Sequence, residues 1–212
     1  METVDSIPVF VEEGASRIER RDAAANRALI LETAERLFAQ YGVANVNMAD
    51  IAQEAGVGKG TLYRRFTNKA ELCLNLLDTQ MADFQNRMLD EMRQMTIEGV
   101  PRLAQLEHFL EALVFFTDIH SPLLREVQRE GLVQSRRLER PHFWQYMTVN
   151  GLLHAAVSAG ELSPDLDIEY LGDALLAPLV VDIFRYQREV RGFSLERISA
   201  GLRALVAGLK SS

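Results

Sequence analysis

What this sequence lacks sets the first limits. It has one cysteine, Cys73, which excludes an internal disulfide and suits a reducing compartment. No apolar run approaches the ~20 residues that span a bilayer; the longest, Ala174 to Val181, is interrupted by Pro178. Residues 1–14 are acidic and lack a long apolar core, so no signal peptide is expected, and the expected location is cytoplasmic. The four histidines, His108, His120, His142 and His154, include no pair three or four residues apart. No helix therefore offers a metal two imidazoles on one face. Phosphate-loop, dinucleotide-glycine and nucleophile-elbow patterns are absent. The expectation is a chain with no metal, no cofactor and no catalytic centre.

Strand signals are missing too, and every patterned segment repeats its apolar residues at helical spacing, so the expected fold class is all-α. The 212 residues allow one or two domains with ample core, and 48% apolar with 25% charged residues is ordinary for a soluble globular protein. The net charge of −7 is unevenly spread. Residues 1–14 hold four acids and no base, residues 15–75 nine bases and seven acids, and residues 76–212 fourteen bases and nineteen acids. Of only three lysines, Lys59 and Lys69 fall in the one positive segment. The distribution says more about partners than the total does.

That segment contains the most informative stretch, Asn47 to Lys69, NMADIAQEAGVGKGTLYRRFTNK. Asn47 is placed to cap a helix whose apolar face is Met48, Ile51, Ala52 and Ala55. Gly56 suits the left-handed residue that ends it. Gly58 opens a second helix with Leu62 and Phe66 inward and Lys59, Thr61, Tyr63, Arg64 and Arg65 available outside, with no acid among them. Gly60 costs roughly 1 kcal/mol against alanine inside a helix, a weakness with a use if the backbone must approach DNA closely. Two short helices crossing at a sharp turn, the second basic, are the plan of a helix-turn-helix. The bland alternative is a helical hairpin with a solvated basic face.

Tyr41-Gly42, Ile51-Ala52, Ala55-Gly56-Val57, Lys59-Gly60-Thr61-Leu62-Tyr63, Phe66 and Lys69 together resemble the DNA-binding domain of the TetR/AcrR family of bacterial transcription regulators. The similarity covers roughly Arg27 to Leu76. Asn47 stands where that family usually has threonine and Gly58 where it usually has serine; both can cap a helix, although Gly58 offers no side chain to a phosphate. The resemblance implies phosphate contacts from Lys59, Tyr63 and Lys69, with Thr61 and Arg64 nearer base edges. Asn47 and Gly60 complete the expected DNA-binding set.

Elsewhere the organisation is helical throughout. Residues 1–22 are expected to form a flexible arm, with Arg17, Arg20 and Arg21 either frayed in solvent or reaching a minor groove. Residues 23–70 form the expected helix-turn-helix domain, its first helix running Asn26 to Gln40, and residues 71–212 a second helical domain. A long helix is expected from Asn68 to about Met95. Others follow from Pro101, from Ser121-Pro122 to about Arg137, and over His142 to Ala159, Asp167 to Arg188 and Ser194 to Leu209.

The second domain gathers aromatic residues that are individually core candidates but could together line an apolar cavity. The resemblance implies an effector pocket there, expected from Phe109, Phe116, Phe143, Trp144, Met147 and Tyr170. It also implies a homodimer built on the last two helices, for which Leu175, Leu179, Ile183, Ile198, Leu202 and Leu205 are the expected interface. The expected function is a ligand-responsive dimeric regulator, a repressor released by a small apolar effector from a near-palindromic double-stranded operator. A helical small-molecule-binding or scaffold protein that never touches DNA is the alternative, and salt-sensitive duplex binding separates the two.

Overall fold

The computed structural model describes residues 12–130 and 139–210, with side chains described for 22–130 and 143–210. Among them every regular element is helical, and the chain divides into two compact units between Leu72 and Cys73.

The first unit contains α1 (Glu12–Tyr41), a single 3₁₀ turn (Val43–Asn45), α2 (Met48–Glu54), α3 (Lys59–Arg65) and the start of α4 (Lys69–Ile97). α1 begins earlier than the sequence predicts, so residues 12–22, expected within a flexible arm, are helical. The alanines 23–25 raise helix propensity there. Residues 1–11 and the side chains of Arg17, Arg20 and Arg21 lie outside the described residues. α1 buries Ile30, Thr33, Ala34, Leu37 and Phe38, whereas Leu29 and Tyr41 are exposed at its edge. Gly42 ends the helix with φ 80°, and Asn45 Nδ2 donates to the Tyr41 carbonyl at 2.9 Å.

The second unit is organised around α5 (Arg102–Arg129), with α6 (Glu139–Ser158), α7 (Ile168–Leu176), α8 (Val181–Arg185), a π-helical turn (Tyr186–Val190) and α9 (Leu195–Ala207). The N-terminus of α5 is closed by a distant carboxylate: Glu161 Oε1 and Oε2 accept from the backbone N–H of Arg102 and Leu103 at 2.7 and 2.9 Å. α5 is one helix where the sequence suggests two, because Pro122 lies inside it rather than at a start. An interior proline costs about 3 kcal/mol. Burial of Leu113, Val114, Phe116 and Thr117 before it and of Leu123 and Val127 after it holds the helix together regardless. The expected end near Arg137 lies outside the described residues.

The segment expected as one helix from Asp167 to Arg188 is broken instead. Pro178 converts its middle to a 3₁₀ turn (Ala177–Leu179), Val180 is extended at φ −60° and ψ 133°, and a new helix starts behind it. α9 is capped by Ser194, whose Oγ accepts from Arg197 N at 3.2 Å. The carboxyl of Glu196, in the same first turn, is held below its ordinary value by its own backbone amide and by the Ser194 hydroxyl.

This packing corrects the expected subunit interface. Leu175, Leu179, Ile198 and Leu202 are buried, at 3, 8, 5 and 3% exposure, in the core of the second unit. α7 packs on α6, and the 3₁₀ turn and α9 pack on α5, so four of the six expected interface positions are spent inside one chain. Ile183 and Leu205 alone among the six are exposed. Leu202→Asp is therefore expected to unfold the second unit, since an unpaired charge forced into an apolar core costs several kcal/mol. Thermal unfolding followed by circular dichroism checks this, and a native melting curve would contradict the burial.

Candidate nucleic-acid interface

Local chemistry fixes the geometry of the first unit. Asn47 caps α2 reciprocally: its Oδ1 accepts from Ala49 N and Asp50 N at 2.8 and 3.1 Å, while Asp50 Oδ2 accepts from Asn47 N at 2.9 Å. Gly56 adopts φ 64°; its N–H donates to Gln53 O and that of Val57 to Ala52 O, closing the end of α2. Ala52, 2% exposed, is small enough for α3 to pass. α3 buries Leu62, and Phe66 behind it is also fully buried. The Arg27 guanidinium stands 5.7 Å from the Phe66 ring centroid, and Arg36 pairs with Glu54 at 2.8 Å to tie α1 to α2.

With Leu62 and Phe66 inward, the opposite side of α3 presents Lys59, Gly60, Tyr63 and Arg64 to solvent, with Thr61 half-buried at its edge. Tyr63, 52% exposed, is a large aromatic held on the surface. No acidic residue lies on α3. A Cβ built on Gly60 would meet nothing within 4 Å, so the fold itself does not require glycine there. The N-terminus of α3 at Gly58 has no side-chain cap, leaving its first N–H groups available to an outside acceptor.

Lys69 is tied into the fold. It is half-buried, its Nζ donates to the Val43 carbonyl, and its ammonium lies 5.9 Å from the Phe38 ring centroid. It thus joins the start of α4 to the turn after α1. Arg65 also points partly inward, with its Nε buried and lacking a hydrogen-bond partner among the described residues.

The expected effector residues separate into two groups. Phe109, Phe116 and Trp144 come together with Phe84 of α4, which was not among the expected pocket residues. Ring centroids are 4.6 Å apart for Phe84–Phe116, 5.5 Å for Phe109–Trp144 and 6.1 Å for Phe84–Trp144. The His120 ring lies 4.2 Å from that of Phe116, tilted by 53°. Phe143, Met147 and Tyr170 are 61, 51 and 70% exposed and stand apart from this cluster. Helical spacing alone could not say which side of α6 and α7 faces inward. Among the described residues no group of three or more histidines, cysteines or carboxylates is arranged to hold a metal, and no helix is long and apolar enough to cross a membrane.

A capped helix, a glycine turn and a basic second helix with its apolar side buried define a DNA-binding helix-turn-helix protein. Residues 30–76 match the family model for bacterial regulatory proteins of the tetR family. An HTH-type transcriptional regulator of Staphylococcus aureus is 28% identical over 177 residues, spanning 84% of this chain and 90% of the relative. Among solved structures, a protein from Saccharomonospora viridis in complex with choline superposes with a TM-score of 0.69 at 21% identity, covering 87% of this chain and 96% of that one. The regulator FadR from Bacillus subtilis in complex with stearoyl-CoA gives 0.62 at 20% identity, covering 84% and 96%. Residues 30–76 thus match the DNA-binding part of that family, and the chain as a whole is similar to HTH-type transcriptional regulators.

Two substitutions test the local geometry without reference to DNA. Gly56→Ala should destabilise the first unit by about 1–2 kcal/mol, the cost of a Cβ in the left-handed region. Asn47→Ala should cost about 1 kcal/mol through loss of the cap. Urea denaturation of each variant measures both.

Proposed function

We propose that this regulator is a homodimeric, ligand-responsive repressor that places α3 of each subunit in successive major grooves of a near-palindromic operator. The observation that carries the reading is the acid-free, solvent-facing side of α3, standing out in a chain of net charge −7. Lys59 and Tyr63 take phosphates, Thr61 and Arg64 approach base edges, and Gly60 lets the α3 backbone come near the DNA. Asn47 keeps its place in the site as the cap that orients α2, with its amide N–H₂ left for a phosphate. Lys69 contributes in two ways, holding the Val43 turn and adding positive charge at the start of α4.

For dimerisation the reading rests on the outward residues that remain once the core is accounted for. Val180, Ile183, Tyr186 and Val190 are 46 to 69% exposed along α8 and the π-helical turn. On α9 the exposed residues Gly201, Ala204, Leu205 and Gly208 are small or apolar, which suits close helix packing. Two-fold symmetry through this face would hold the two α3 helices about one DNA turn apart, roughly 34–36 Å.

The effector is an apolar or aromatic small molecule admitted at the ring cluster of Phe109, Phe116 and Trp144. The solved relatives carry choline in one case and stearoyl-CoA in another, which supports a small-molecule ligand without naming that of this chain. α4 runs without a break from the end of the helix-turn-helix to Ile97, so a ligand that favours one setting of this helix can shift the population able to bind DNA. Moving the ratio from 1:99 to 99:1 requires a preference of about 5.5 kcal/mol.

Selection of duplexes from a random library with the full chain should return a near-palindrome. Gly60→Ala should weaken binding to that duplex while leaving the fold intact or slightly more stable, by up to about 1 kcal/mol. Lys59→Ala should weaken it evenly across sequences and lower the salt slope by roughly one unit. Unchanged affinity in both variants would remove α3 from the groove. Leu205→Asp should yield folded monomers by sedimentation, unlike the core variant Leu202→Asp; a persistent dimer would move the interface elsewhere. Candidate effectors are best screened by Trp144 fluorescence together with operator affinity, since a compound that perturbs the indole and never the DNA complex argues against the switch.

A further inference from the structure

A second, chemically different cleft lies in the helical unit, away from the ring cluster. It encloses about 450 Å³ between the second half of α5, α8 with its π-helical turn, and the start of α9. Asp118, Ser121, Pro122, Arg125, Arg185, Arg188 and Glu189 are among its lining residues. The volume is within the range of small-molecule sites, but the lining is polar and rich in guanidinium groups.

Charge is concentrated here against the trend of the domain. Residues 185–197 carry four arginines, Arg185, Arg188, Arg191 and Arg197, against Glu189 and Glu196. Residues 76–212 as a whole hold fourteen bases and nineteen acids. Each guanidinium has a distinct setting. Arg188 is fixed, its Nε donating to Asp118 Oδ1 at 2.9 Å and its Nη1 to the Phe193 carbonyl at 2.6 Å. Arg191 and Arg197 lie 5.0 and 3.9 Å from the Phe193 ring centroid. Arg125 pairs with Glu189 at 3.1 Å, both side chains about half exposed, an arrangement weak enough to be exchanged for another anion. Arg185 is exposed and forms no hydrogen bond or ion pair with any described residue.

We infer that this cleft binds the anionic group, carboxylate or phosphate, of a small organic molecule, with Arg185 and Arg125 as its ligands and Arg188 as the fixed wall. Arg185 offers a whole guanidinium fork. Arg125 releases Glu189 and turns to the incoming oxygens. Arg188 keeps Asp118 occupied, so that this carboxylate does not oppose the ligand. The bidentate geometry of arginine suits both oxyanions. Ile183 and Leu205, assigned above to the subunit interface, do not line the cleft, so this site does not rest on the dimer or on the ring-cluster pocket.

The test is titration of the full chain, labelled with ¹⁵N-arginine, with inorganic phosphate and separately with acetate at constant ionic strength. Saturable shifts of the Arg125 and Arg185 side-chain N–H signals are expected. Saturation with phosphate alone assigns a phosphate ligand, with acetate alone a carboxylate, and with both an unselective oxyanion cleft; all three support the inference. Arg185→Gln should weaken binding roughly tenfold, as for loss of one charge-assisted hydrogen-bonded pair, with Arg185→Lys in between. Arg203→Gln, which removes a pair with Glu111 outside the cleft, should leave binding unchanged. Shifts that rise linearly without saturating, or that persist equally in Arg185→Gln, would overturn the site. Choline chloride producing the same shifts would do so as well.

Discussion

The nucleic-acid face exists because Leu62 and Phe66 are buried completely. α3 has only seven residues, too few to be stable alone, so its rotation about its own axis is set by these two anchors. Once they are seated against α1 and α2, every charged residue of the helix must lie on the other side or at its margin. Ala52 permits the close crossing and Gly56 turns the chain into it. The site is thus a by-product of packing, and its precision derives from the core rather than from contacts among the functional side chains.

Lys69 shows how a single residue can serve the scaffold as well as the surface. Seen in sequence, an ammonium in the first turn of a helix opposes the helix dipole and suggests an outside anion. In the folded unit that ammonium has a carbonyl acceptor at Val43 and the Phe38 ring nearby. The link joins residues 26 positions apart, a relation that no local pattern could reveal.

The parts of the fold legible in the sequence were those written in local rules. Caps, the glycine turn and the inward residues of α2 and α3 could be read directly, as could the all-helical class. Misreadings came where tertiary burial outweighed a local signal. Pro122 marked a boundary by its chemistry, yet α5 runs through it because apolar residues on both sides are buried. Pro178 interrupts a strongly apolar run within the segment expected as one helix, and it breaks that helix. The resemblance implied a subunit interface on the last two helices, but four of its six expected residues belong to the core of one chain, since helical period marks a buried face without saying by what it is buried. The ring cluster was half visible, and its fourth member, Phe84, could be found only from the three-dimensional path of α4.

The complete burial of Cys73 has a practical corollary. It follows directly after the point where the two units divide, and it is the only thiol in the chain. A reagent in solution can reach its sulfur only when the packing around the beginning of α4 opens. The rate of alkylation of the native chain therefore reports the free energy of that local opening, so the protein carries its own clock for unfolding at the beginning of α4.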